Sequence, residues 1–144
     1  MKNLWIGNEK DAQEEALSDY GITKVVTVCQ DSTEDNVGCS YSRYNMSDGP
    51  DNKYGGRHDY EIFHSAVGEV VESINQGDTV LVHCHRGRSR SAAVVIASVG
   101  RLKSVGYDKS REVVESARPV INPDKLLVKH AEENLSKMLE DNEV

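Results

Sequence analysis

The order of apolar and polar positions divides the chain into strand-like and helix-like stretches. Leu4-Trp5-Ile6 is a short apolar strand, and Gly7-Asn8 turns it into a polar-faced helix from about Glu9 to Tyr20, with Ala12, Ala16 and Leu17 on one side. Gly21 stands where a glycine closes a helix. Lys24 to Cys29, KVVTVC, is a β-branched run of the kind buried in parallel sheets. Gln30 to Gly38 is polar and loop-like, and Ser40 to Asn45 alternates as a more exposed strand. Met46 to Arg57, with three glycines and a proline, is a loop.

The second half is patterned more strongly. From about Asp59 to Asn75, Ile62, Phe63, Ala66, Val67, Val70, Val71 and Ile74 recur at helical spacing, and Gly77 closes the helix. Val80-Leu81-Val82 is an apolar strand that delivers His83 and Cys84 into a short loop. Ser91 to Leu102 is apolar on nearly every side, as a buried helix is. Asp108 is placed to cap a further helix to Ala117. Asn122-Pro123 predicts the start of the last helix, with Asn122 as the cap and Pro123 at the first helical position. Its stripe is Leu126, Leu127, Ala131, Leu135, Met138 and Leu139, followed by an acidic tail. Strands separated by helices predict one α/β domain over residues 1–144, with a mainly parallel central sheet flanked by helices on both faces.

Composition narrows the functional classes. A chain of 144 residues is long enough to bury a core. A net charge of -7 argues against general nucleic-acid binding, which needs a broad cationic face, although a local basic pocket is compatible with it. No stretch approaches the ~20 apolar residues of a membrane span, and MKNLWIGNEK has no signal-peptide core. The expectation is a soluble, cytoplasmic protein, taken as a monomer. Three cysteines without C-x-x-C spacing fit reduced thiols better than a disulfide framework or a zinc site. Cys29 and Cys39 read as structural thiols, either of which could protect Cys84 as a disulfide. His58, His64 and His130 share no ligand spacing and read as helix residues, so no metal site is expected.

The candidate chemistry is concentrated in Thr79 to Ser91, TVLVHCHRGRSRS. If the five residues between Cys84 and Arg90 wrap into a cradle, the N–H groups of His85 to Arg90 point inward at the mouth of a buried helix, an arrangement that binds tetrahedral oxyanions. The loop is then His85, Arg86, Gly87, Arg88, Ser89 and Arg90, with Arg90 adding a bidentate fork. The same positive potential would ionise Cys84, since helix N-termini and cations lower thiol pKa values from ~8.5 to ~3.5–7.5. His83 is placed to hold the geometry and tune that pKa, and Ser91 to assist the departing thiolate. His85, Arg86 and Arg88 either point outward into solvent or form the pocket rim; on the rim they would favour multiply charged substrates.

These residues carry a family resemblance. HCHRGRSRS resembles the H-C-x5-R-S phosphate loop of cysteine-dependent protein phosphatases, most closely the dual-specificity branch. LWIGNEKDAQEEALSDYGITKVVTV is similar to that family's opening strand, helix and strand, and RPVINP to its Arg-Pro link into the last helix. The resemblance implies a metal-independent, two-step hydrolysis of a phosphorylated protein or other phosphomonoester through a cysteinyl-phosphate. Cys84 is then the nucleophile, Arg90 binds the phosphate, and Asp48, in Tyr-x-x-Ser-Asp, is the general acid, with Asp51 the runner-up. Cofactors are not implied. Tyr54 to Arg57 looks like an insertion relative to the family spacing. Rival readings are a phosphoinositide, inositol phosphate or RNA 5′-phosphate substrate, a rhodanese-like sulfurtransferase, and a silent phosphate-binding module. A low-molecular-weight phosphatase or arsenate reductase would carry its loop near the N-terminus.

Overall fold

In the computed structural model, the described residues are 3–8, 11, 17, 19–29, 39–46 and 57–141, with only the backbone described at Arg57, His58, Glu140 and Asp141. Four strands, β1 (Leu4–Gly7), β2 (Lys24–Thr27), β3 (Ser40–Arg43) and β4 (Val80–His83), form one parallel sheet in the order β1-β4-β2-β3. Among the described residues, four helices follow the pattern of the second half: α1 (Arg57–Asn75), α2 (Arg90–Lys103), α3 (Tyr107–Ala117) and α4 (Lys125–Asp141). The protein is thus α/β.

Strand alternation divides the core into two. Val26, Val80 and Val82 face a large cluster with Phe63, Val67 and Val70 of α1 and the apolar run of α2. Val25 and Leu81 face the other way, onto Leu17 and Ile22. Both sides of β4 are therefore covered, which is why all four of its residues are buried and why it reads as an unbroken apolar run. α2 is wrapped by the sheet, α1, α3 and α4, and every residue from Ser91 to Gly100 is buried. Its polar members are satisfied locally. Ser98 Oγ donates to the Val94 carbonyl at 2.7 Å, and Ser110 of α3 donates to the Ile96 carbonyl.

Several element boundaries differ from the expectation. His83 is the last residue of β4, not part of the loop. β2 ends at Thr27 and β3 at Arg43, while α1 begins at Arg57, two residues early. Asp108 does not cap α3: the cap position is Gly106, whose extended backbone leaves Asp108 inside the first turn. Asn122 and Pro123 precede α4 instead of starting it, and Asp124 is the cap, its Oδ2 accepting the Leu126 N–H at 3.2 Å. Leu139, placed in the α4 stripe, is 46% exposed. Gly21 and Gly77 take positive φ, 67° and 96°, where helix ends were expected. Most of the helix expected from Glu9 to Tyr20 lies outside the described residues.

His130 is a buried polar group in the core. Its Nε2 lies 2.7 Å from Asp59 Oδ2, tying the first turn of α1 to α4, and His64 pairs with Asn134 at 2.9 Å. These histidines are structural partners of individual side chains, and no group of three or more metal-binding side chains forms among the described residues.

Candidate active site

β4 is a central strand, and its carboxyl end is where a parallel sheet opens a crevice for ligands. The ladder continues past the strand, with the Val28 N–H bonding to the His83 carbonyl at 3.0 Å, so Cys84 leaves the sheet in a fixed direction. His83 is fully buried, and its Nε2 sits 2.6 Å from Thr27 Oγ1 on the neighbouring strand. That cross-strand bond fixes the residue just before the thiol.

Cys84 is 2% exposed. Its Sγ lies 3.1 Å from Ser91 Oγ and accepts the Gly87 N–H at 3.3 Å. Burial by itself would push the thiol pKa up. The Ser91 hydroxyl, the backbone N–H groups of Ser91 and Gly87, and the Arg90 charge outweigh it, and the thiol lies below its ordinary value. Of the other cysteines, Cys29 is buried in the same core cluster and Cys39 is half-buried; all three are free thiols. Burial pushes Cys39 up, against a smaller lowering by Lys24, the reverse of the balance at Cys84.

Residues 85–89 wrap back toward the N-terminus of α2. Gly87 takes φ +68°, and a Cβ there would lie 2.5 Å from the Gly7 carbonyl oxygen and 2.7 Å from Arg118 Nη2. Both the left-handed backbone and the absence of room require glycine. Ser89 is the cap residue of α2, but its hydroxyl caps nothing in that helix and instead accepts the Asp124 N–H at 2.9 Å. Arg90 is the first helical residue. Its Nη1 donates to the Met46 carbonyl at 3.3 Å, and its buried Nε has no hydrogen-bond partner among the described residues. A buried guanidinium N–H without an acceptor is a place for an oxyanion.

The loop opens onto a cleft of about 530 Å³ lined by Cys84, His85, Arg86, Arg88, Ser89 and Arg90, together with Val120 and Asn122. His85, Arg86 and Arg88 are exposed and are among the residues that line this cleft. Asp48 and Asp51, the two candidates for the acid, lie outside the described residues.

Sequence reasoning missed the segment after α3. Arg118 Nε donates to the Gly87 carbonyl at 2.8 Å and Nη2 reaches the Arg86 carbonyl at 3.4 Å. The Asn122 N–H donates to the Arg88 carbonyl at 2.6 Å. These contacts join residues about thirty positions apart, so no local spacing signals them; the only cue was the Arg-Pro dipeptide in the family resemblance.

A thiol held below its ordinary pKa beneath a helix N-terminus, with a guanidinium at the far end of the loop, defines a phosphate-loop cysteine site on a parallel α/β sheet. The chain matches the family described as the dual specificity phosphatase, catalytic domain, over residues 4–133, and it belongs to that family. It is 29% identical over 125 residues to dual specificity protein phosphatase 22 of Xenopus tropicalis, covering 86% of this chain and 57% of that protein. Against dual specificity protein phosphatase 15 of Rattus norvegicus it is 30% identical over 125 residues, covering 86% and 51%. The chain thus spans little more than half the length of these curated relatives. Among solved structures, human DUSP28 superposes with a TM-score of 0.85 at 25% identity, covering 99% of this chain and 97% of that one.

Proposed function

We propose that the protein is a dual-specificity phosphatase, hydrolysing phosphotyrosine and phosphoserine or phosphothreonine through a cysteinyl-phosphate. The observation that carries this reading is Cys84, a buried thiol held below its ordinary pKa at the floor of an anion cradle. In the first step the thiolate attacks phosphorus, and the bond to the leaving oxygen breaks as Asp48 gives that oxygen a proton. In the second, water attacks the phosphocysteine with Asp48 as base, the S–P bond breaks, and inorganic phosphate leaves. Ser91 Oγ, 3.1 Å from Sγ, donates to the departing thiolate. Arg90 and the loop N–H groups hold the equatorial oxygens in both steps. His83, fixed by Thr27, keeps the thiol in line. Asp51 is the alternative acid, and no step calls for a metal.

The substrate is a phosphorylated protein. His85, Arg86 and Arg88 make the cleft rim locally basic in a chain of net charge -7, which favours phosphorylated sites with further negative charge nearby. The same rim is the observation that favours the second reading, a phosphoinositide, inositol phosphate or RNA 5′-phosphate. Among the described residues no helix is long and apolar enough to cross a membrane. A cytoplasmic location, where thiols stay reduced, suits the mechanism.

The test is hydrolysis of p-nitrophenyl phosphate in the presence of a chelator, followed by a panel of phosphotyrosine and phosphothreonine peptides, phosphoinositides and small phosphates. Vanadate-sensitive hydrolysis that falls to background in Cys84→Ser is expected. Full activity in that variant sinks the mechanism, and a preference for lipid or nucleotide phosphates replaces the protein substrate.

A further inference from the structure

The inner side of the loop binds the thiolate; what its outer side does is not accounted for by the chemistry. Each carbonyl from Arg86 to Arg88 points away from Cys84 and is taken by the segment 118–124. Arg118 takes those of Arg86 and Gly87, and the Asn122 N–H takes that of Arg88. The Asp124 N–H, in turn, holds the Ser89 hydroxyl.

A peptide unit has two ends. The Arg86 carbonyl belongs to the same planar unit as the Gly87 N–H, and it is this N–H that donates to Cys84 Sγ at 3.3 Å. A cation on the carbonyl end draws charge from the N–H end and strengthens the bond it makes. The Gly87 carbonyl is likewise one unit with the Arg88 N–H, and the Arg88 carbonyl with that of Ser89. Turning over either of the first two units would strip Arg118 of an acceptor, and turning over the third would strip the Asn122 N–H of its own. The fit is tight enough that a Cβ on Gly87 would come within 2.7 Å of Arg118 Nη2, so guanidinium and loop are packed as one piece.

We propose that Arg118 is a positioning residue of this site: its guanidinium grips the outer carbonyls of the phosphate loop, keeps the loop N–H groups aimed inward, and so stabilises the Cys84 thiolate and any oxyanion bound above it. Arg118 touches neither substrate nor sulfur and acts through the peptide units between. This deepens the phosphatase reading and rests on it for the identity of the oxyanion, but not for the effect on the thiol.

The experiment compares the wild-type chain with Arg118→Lys and Arg118→Met. Cys84 alkylation by iodoacetamide is followed against pH, with the reaction of the other two cysteines subtracted using Cys84→Ser. Vanadate inhibition, kcat and KM for p-nitrophenyl phosphate, and thermal melting are recorded beside it. In Arg118→Met the alkylation midpoint should rise by about one pH unit and vanadate binding should weaken about tenfold. Arg118→Lys, which keeps the charge but loses the fork, should fall between. A purely structural role would lower the melting temperature and leave the midpoint and vanadate affinity of the folded fraction unchanged, and that result overturns the proposal. Should Arg118→Met not fold, the same measurements on Arg118→Lys decide. A wild-type chain that hydrolyses no phosphomonoester would sink the phosphatase reading, while the alkylation midpoints would still test Arg118.

Discussion

Among the described residues, two helices begin without a side-chain cap, and only one of those beginnings is a site. α3 starts after Gly106, which has no side chain to offer, and α2 after Ser89, whose hydroxyl is held elsewhere by the Asp124 N–H. Both therefore leave first-turn N–H groups uncapped and the positive end of the helix dipole unbalanced. At α3 the balance is restored within the helix, by Asp108 in the first turn, and the neighbouring cleft of about 380 Å³ adds Glu132 to its walls. At α2 the first turn holds no acid and begins instead with Arg90, a cation added to a positive helix end. That arrangement is unfavourable unless an anion joins it. In the structure the Cys84 sulfur partly fills the role; in turnover a phosphate would complete it. A helix N-terminus becomes a site when the chain withholds its own compensating charge.

The largest way to break the contrast is to remove the cation. Arg90→Met should lower kcat/KM for p-nitrophenyl phosphate by about 10³–10⁵-fold, the range for an arginine that stabilises a transferring phosphoryl group. A loss below tenfold would mean that the α2 N–H groups bind the oxyanion unaided. Next comes the acid, which the α2 terminus must borrow from another segment. Asp48→Asn should cost about 10²–10⁴-fold in kcat at little change in KM. The loss should shrink with substrates whose leaving group needs no proton. If Asp51→Asn shows this behaviour instead, the acid is Asp51.

The contrast is sharpened at Ser91, the residue that gives α2 a second link to the thiol. A hydrogen bond to a charged group is worth about 1.5–3 kcal/mol, or roughly one to two pKa units. Ser91→Ala removes a bond that favours the thiolate, so the Cys84 pKa should rise. The pH at which alkylation reaches half its maximal rate should move upward, and activity at acid pH should fall more than activity at neutral pH. Turnover should also become limited by breakdown of the phosphocysteine, detected as a burst of nitrophenol. An unchanged alkylation profile would leave Ser91 with no part in ionising the thiol.

What could be read in the sequence follows from the range of the interactions involved. β4, its loop and α2 were legible because adjacent residues carry them: an apolar run, Cys84, Gly87, Arg90, then ten buried positions in a row. α1 was legible because its apolar period runs unbroken from Ile62 to Ile74. Cap positions were misread at α3 and α4 because the sequence rule selects by residue type, whereas the backbone decides. Pro123 suits a first helical turn, yet Asn122 was already committed to the Arg88 carbonyl and the helix began after Asp124. Arg118 was legible only as the arginine of the Arg-Pro link, not by its contacts. Only the fold brings the Gly87 carbonyl within 2.8 Å of its guanidinium.

The smallest effect tests the other half of the comparison. Asp108 is exposed, and it does for α3 what the sulfur does for α2. Asp108→Asn should therefore cost about 0.3–1 kcal/mol of stability, lowering the melting temperature by about 1–3 °C at low salt and less as salt screens the helix end. It should leave the hydrolysis of p-nitrophenyl phosphate where it was, because α3 contributes no group to the phosphate cleft. Moreover, the neutralised α3 terminus should gain no affinity for vanadate, since it has neither a cation with a buried, unpaired N–H nor a loop whose carbonyls are turned outward. If Asp108→Asn did create a second vanadate site, an uncapped helix end would be sufficient by itself, and neither Arg90 nor the braced loop would be what turns the start of α2 into an oxyanion site.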